Sequence, residues 1–218
     1  MDSATSTSAT RPPSVRARAS PAKSAPYVVP IARETRAILQ RKTGHEYLTS
    51  ADLPTELNLS FCEDLVDVSA LGHVRKLNLT SCTAVEDVSA LGQVEELYLI
   101  RCDCVMDVSA LGGVRKLCLT GCTGVRDVSA LGKVRKLNLS WCVGVADVSA
   151  LGQVEELYLI RCDCVMDVSA LGGVRKLCLT GCTGVRDVSA LAGVQELTLT
   201  GCSGLERPAK KSTHCTVC

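Results

Sequence analysis

From about Pro54 to Leu205 the apolar positions recur at one spacing, and polar residues fill the same gaps each time. In the stretch Val74-Arg-Lys-Leu77-Asn-Leu79-Thr-Ser-Cys82-Thr-Ala-Val85-Glu-Asp87-Val88-Ser-Ala90-Leu91-Gly92, the segment Leu77-Asn-Leu79 alternates apolar and polar, as a half-buried strand does. Asp87-Val-Ser-Ala-Leu91-Gly92 then reads as one turn of helix, with Asp87 accepting backbone N–H bonds as its N-cap and Gly92 supplying a left-handed C-terminal cap. The next copy opens at Val94. Cysteine marks the period at Cys62, Cys82, Cys102, Cys122, Cys142, Cys162, Cys182 and Cys202, a step of twenty residues. A fixed period of this size indicates a stacked array whose units cannot bury their apolar faces alone, so stability belongs to the stack. Eight units fit between residues 54 and 205. Ala192 stands where the preceding units carry Gly, so that position tolerates a side chain or shifts its turn onto Gly193.

Upstream, Pro30 at a first helical position and Ile31, Ile38 and Leu39 on one face predict a short amphipathic helix ending near Gly44. Residues 30–53 are assigned as a helical N-terminal cap over the naked edge of the first unit. Residues 1–29 are rich in Ser, Thr, Ala, Pro and Arg, with Asp2 the single acid, and are expected to be a disordered basic segment. An Arg- and Ser-rich, acid-poor stretch also suits a transit peptide, against which the prolines between Pro12 and Pro30 argue. Residues 206–218 are read as a basic disordered tail ending in a CaaX-like motif.

Leu-x-Leu-x-x-Cys, present in every unit, resembles the leucine-rich repeat. Cys-x-x-Val-x-Asp, as in Cys82 to Asp87, is similar to the cysteine-containing subclass found behind F-boxes, and Asp-Val-Ser-Ala-Leu resembles the turn of internalin-like repeats. The resemblance covers about two-thirds of the chain. It implies an α/β repeat solenoid, an arc with a parallel β-sheet on its concave face and short helical turns on its convex one. Within the array, Asp87 to Leu131 is repeated without change as Asp147 to Leu191, which points to a duplication of three units.

Charge narrows the function. Residues 1–50 hold 8 basic and 3 acidic side chains, residues 51–205 hold 13 and 19, and residues 206–218 hold 3 and 1. An acidic body with 3% aromatic residues is a poor surface for phosphates or stacked bases, so no nucleic acid is expected as ligand. The 14 cysteines, most of them periodic and without an apolar signal segment after Met1, are read as reduced thiols in a cytoplasmic or nuclear protein, with a cytoplasmic location the expectation. No metal site is expected, because the Cys102/Cys104 and Cys162/Cys164 pairs lack assured further ligands. No catalytic residue and no cofactor are expected either: His45, His73 and His214 fall outside the strand pattern, and no nucleotide-binding or triad motif occurs.

With the leucines pointing inward, flanking side chains form ladders across the sheet. One column reads Glu56, Lys76, Glu96, Lys116, Lys136, Glu156, Lys176, Glu196, alternating in sign except at Lys116 and Lys136. The next columns bring Tyr98, Ile100, Tyr158 and Ile160, with Arg101, Trp141 and Arg161 just beyond. Exposed Tyr, Trp and Arg on a rigid face are the usual anchors of protein interfaces, so these seven residues are the candidate partner-binding set; scattered surface residues left by duplication are the plainer alternative.

At the end of the chain, Cys215-Thr-Val-Cys218 behind Arg207, Lys210 and Lys211 resembles a prenylation signal, with Cys215 the lipidated residue and a membrane surface the partner. A C-x-x-C redox or metal half-site with His214, and a plain tail, are the alternatives. The expected function is therefore a non-enzymatic scaffold that binds a protein of unknown identity through the concave face. Edge-to-edge self-association through an open C-terminal strand and substrate recognition in a ubiquitin ligase are the other readings; nothing before Pro54 reads as an F-box.

Overall fold

The computed structural model describes residues 28–205 and the two residues 215–216; readings that fall on residues 1–27 and on the rest of the tail lie outside the described residues. Each unit contributes one three-residue strand: β1 Glu56–Asn58, β2 Lys76–Asn78, β3 Glu96–Tyr98, β4 Lys116–Cys118, β5 Lys136–Asn138, β6 Glu156–Tyr158, β7 Lys176–Cys178 and β8 Glu196–Thr198. All pair in parallel with the next in sequence, in a register that sets leucine beside leucine, as in Leu77↔Leu97. The result is an α/β repeat solenoid of the leucine-rich-repeat type, with the sheet on its concave face and 3₁₀ turns on its convex one. Backbone bonds extend the ladder past the strands proper, from Leu79 N–H to the Tyr98 carbonyl and from Ser81 N–H to that of Ile100, both within 2.8 Å.

Val74, Leu77, Leu79, Cys82, Val85, Val88 and Leu91 of one unit are all essentially buried, and their counterparts repeat along the stack as one continuous core. The cysteines occupy it as small apolar residues with a weak donor. Each thiol from Cys82 to Cys202 donates to the carbonyl of the first leucine after the preceding unit's strand, as Cys122 does to Leu99 at 2.8 Å and Cys142 to Leu119 at 3.0 Å. The twelve cysteines from Cys62 to Cys202 are all free. Burial pushes the thiol pKa up, to about 11 at Cys82 and about 12 at Cys102, Cys142 and Cys182.

The turn differs from the sequence expectation in two respects. Asp87 is not the N-cap of a helical turn: its carboxylate accepts the Ser89 N–H at 2.8 Å, two residues on, forming an Asx turn that leads into a 3₁₀ turn at Ser89–Gln93. Asp107, Asp127, Asp147, Asp167 and Asp187 repeat this bond. The glycine that follows is not a left-handed cap either, since none of the column from Gly72 to Gly172 has positive φ. Its reason is space: a Cβ on Gly92 would lie 2.4 Å from the carbonyl oxygen of Ala110 in the next unit, and one on Gly132 would lie 2.4 Å from that of Ala150. Ala192 lies in the last of the described 3₁₀ turns and is exposed.

Helix α1, Arg33–Thr43, begins three residues after Pro30, which instead forms a β-bridge with Thr49. It ends at Gly44, whose φ of 75° lets its N–H reach the Gln40 carbonyl. Ile31, Ile38 and Leu39 join the core, while Thr35 donates to the Asp67 carbonyl and Arg41 pairs with Asp64 at 3.0 Å, fixing the helix to the first unit. At the opposite end a two-residue strand β9, Cys215–Thr216, lies parallel to β8, so the backbone there is paired along Leu197–Thr198 rather than bare. No helix among the described residues is long and apolar enough to cross a membrane.

Candidate functional site

The side chains on either side of each inward leucine emerge together on the sheet face, which places the candidate residues in rows. Tyr98 and Tyr158 lie half-buried on β3 and β6, separated by Cys118 and Asn138. Ile100 and Ile160 follow two residues on, also half-buried, and Arg101, Trp141 and Arg161 stand exposed at the rim. The Arg161 guanidinium lies over the Trp141 ring, 5.6 Å from its centroid, a cation–π contact on an indole that is 52% exposed. Arg101 has Ser81 in the place that Trp141 takes beside Arg161, and so has no such partner ring there. Cys215 is remote from all of these, on β9 beyond the last repeat.

Not every residue of these rows is free to serve a ligand. Asn58, Asn78 and Asn138 accept the N–H of the residue two positions on, within 3.0 Å, so their carbonyl oxygens are spent on shaping their own turns. Cys118 and Cys178 lie 3.3 Å from the hydroxyls of Thr120 and Thr180. The Ser140 hydroxyl, buried beside Trp141 in sequence, has no hydrogen-bond partner among the described residues.

The rim carries a feature that residue patterns do not reveal. Phe61, Ser81, Arg101, Trp141 and Arg161 all adopt φ between 57° and 65°, and Gly121, Gly181 and Gly201 occupy the same column at 71° to 74°. This left-handed conformation costs a non-glycine residue roughly 1–2 kcal/mol. Glycine would satisfy the backbone at every position, and three units use it. Of the other five units, four hold a large side chain there against that cost (Phe61, Arg101, Trp141 and Arg161), and one holds Ser81.

Along the opposite, N-terminal ends of the strands runs a double row of charge. Arg75 and Arg115 both pair with Glu95, at 2.5 and 2.8 Å, and Arg135 pairs with Glu155 at 2.6 Å. Beside them Lys116 meets Glu96 at 2.5 Å, Lys136 meets Glu156 at 2.6 Å and Lys176 meets Glu196 at 2.9 Å. Hydrogen bonds from Arg75 and Arg115 hold the Glu95 carboxyl below its ordinary range, and the Lys116 ammonium does the same for Glu96. The Lys/Glu row was visible in the sequence; the outer Arg/Glu row was not singled out there, although the alternation of Arg-Lys with Glu-Glu dipeptides spells out both.

Away from the sheet, two shallow depressions of about 380 Å³ repeat each other beside the 3₁₀ turns, one lined by Cys104 and Met106, the other by Cys164 and Met166. Among the described residues no group of three or more His, Cys, Asp and Glu side chains is arranged to hold a metal ion.

No protein-family model matches the chain, and comparison with curated proteins gives no match. Solved structures do match. An internalin (InlF) from Listeria monocytogenes aligns at 22% identity with a TM-score of 0.57, covering 77% of this chain and 54% of its own, so the chain spans about half of that protein's structure. An internalin C2 (InlC2) from the same species aligns at 20% identity with a TM-score of 0.56, over 90% of this chain and 100% of its own. At these identities the likeness is one of fold.

Proposed function

We propose that this leucine-rich-repeat chain is a non-enzymatic interaction scaffold whose concave face receives a protein partner. One observation carries the reading: four large side chains, Phe61, Arg101, Trp141 and Arg161, are kept at left-handed positions on the rim, where equivalent units hold glycine or serine. Strain maintained at exposed positions is a mark of functional surfaces. The side chains retained there include Trp and Arg, two of the three residue types that dominate interface energetics, and the third, Tyr, supplies the neighbouring row at Tyr98 and Tyr158. The rigid sheet beneath them lowers the entropic cost of association.

Affinity capture from host lysate with the wild type and with Tyr98, Trp141 and Tyr158 all changed to Ala tests the proposal. A specific protein retained by the wild type and lost by a variant of unchanged circular dichroism supports it. Identical captures from both would refute the concave face as the working surface.

A further inference from the structure

The charge rows on the sheet face have one break, and its position follows from the duplication. Arg75-Lys76, Glu95-Glu96 and Arg115-Lys116 order three strands as basic, acidic, basic; Arg135-Lys136, Glu155-Glu156 and Arg175-Lys176 order the next three the same way. Set head to tail, the triplets place cation against cation between β4 and β5, where Lys116 and Lys136 are register partners. Every other register pair in that row, from Glu56↔Lys76 to Lys176↔Glu196, joins opposite signs.

The side chains respond to the break by parting. Lys116 and Arg115 lean back onto Glu96 and Glu95, while Lys136 and Arg135 lean forward onto Glu156 and Glu155. A strip thus opens over the β4–β5 junction, with cations on both its banks. Across four strands the face reads acid, base, base, acid, an interval of about 14 Å at roughly 4.8 Å per strand. Tyr98 and Tyr158 mark the same two ends, on β3 and β6.

We propose that this strip receives an α-helix of the partner, lying across the strands and presenting base, acid, acid, base in that order. The dimensions agree: helix positions i, i+4, i+7 and i+11 share a face and span about 16 Å at 1.5 Å per residue. The two inner carboxylates meet the diverging cations of β4 and β5, the outer cations meet the glutamates of β3 and β6, and an adjoining apolar stripe rests on Tyr98 and Tyr158. Residues 1–29 and 206–218 lack the paired carboxylates this ligand needs, since the first contain one acid, Asp2, and the second one, Glu206. The inference rests on the concave face being the binding surface and adds the chemistry and order of what it binds.

The probe is a synthetic Ala-based helical peptide carrying Lys, Glu, Glu and Lys at those four positions, leucines on the adjoining stripe and a terminal fluorophore. Its control has the signs exchanged to Glu, Lys, Lys, Glu. Fluorescence anisotropy with the full chain should show saturable binding of the first peptide, at least about ten-fold weaker binding of the second, and weakening of the first as salt rises. Lys116→Gln with Lys136→Gln should reduce affinity for the first peptide by about ten-fold. Lys76→Gln with Lys176→Gln makes the same change in net charge away from the seam and should leave it within about two-fold. Thermal melts of both variants confirm that the fold is retained. The proposal is overturned if neither peptide binds, if both bind alike, or if the two double variants lose affinity equally. Should it fail while the aromatic triple variant still loses a captured protein, the binding face stands and only the charge order is wrong.

Discussion

Trp141 sits at φ 65°, where glycine carries no steric penalty. Trp141→Gly is therefore expected to leave the protein as stable as before or up to about 1 kcal/mol more stable, because relief of the left-handed strain outweighs the greater freedom glycine gives the unfolded chain. The same change should weaken partner capture. A urea titration beside the capture experiment checks both, and a clear loss of stability would show that the indole supports the fold rather than a ligand. The glycine column obeys the opposite rule. Gly132→Ala drives a methyl toward the Ala150 carbonyl at 2.4 Å and should cost about 1–3 kcal/mol in the same titration, whereas Ala192→Gly should cost no more than about 1 kcal/mol. The candidate Tyr, Trp and Arg positions were legible in the sequence because a strand's period assigns its faces. Their left-handed backbone was not, since Phe61, Arg101 and Trp141 gave no sign of it, and Gly121, Gly181 and Gly201 hint at it only when read down the column. The glycines after Leu91 and its equivalents misled for a related reason: the contact that requires them lies in the next unit.

At the scale of one unit, two devices hold the turn: the Asx bond of Asp147 to the Ser149 N–H at 2.9 Å, and the Cys142 thiol bonded to Leu119. Asp147→Ala should cost about 0.5–2 kcal/mol, by analogy with the loss of other side-chain caps, read as a lower urea midpoint. The thiol prediction concerns reactivity. Brief treatment of the native protein with iodoacetamide near neutral pH should modify the exposed Cys104 and Cys164 and leave the eight column cysteines untouched until denaturant is added, as peptide mapping would report. Rapid labelling of Cys122 or Cys142 in the folded protein would contradict the buried column. Strand and turn were both readable from the alternation at Leu77-Asn-Leu79 and from Asp-Val-Ser-Ala-Leu. What the turn became, 3₁₀ instead of a capped α-turn, depends on closing each unit in twenty residues so that leucine falls beside leucine, and that is a property of the stack.

For the whole molecule, pH acts from two sides. Glu95, Glu96, Glu155 and Glu196, with Asp87, Asp107, Asp127, Asp147, Asp167 and Asp187, are held below their ordinary range by hydrogen bonds, so their stabilisation is complete above about pH 4–5 and disappears as pH falls through their lowered values. The buried thiols have raised values, so their contribution is complete below about pH 8.5 and is lost as pH rises toward the folded values of about 11 to 12. Thermal melts should give a plateau between these limits and a fall on each side; a melting temperature still rising above pH 9 would contradict the column. The array should also shorten cleanly. Deleting residues 87–146 joins Glu86 to Asp147, restores unbroken alternation as Lys76, Glu156, Lys176, Glu196, and should give a folded five-unit protein with a smaller urea m-value and no affinity for the charge-ordered helix. The identity of Asp87–Leu131 with Asp147–Leu191 has a further consequence, in time rather than in space. A growing stack that has reached Glu86 meets two equally good continuations, and docking the later one first strands the residues between as a loop that must come undone before the array can close. Refolding of the full chain should therefore show a slow phase that is missing from the deletion variant, because a chain with one copy of the block has no wrong turn to take.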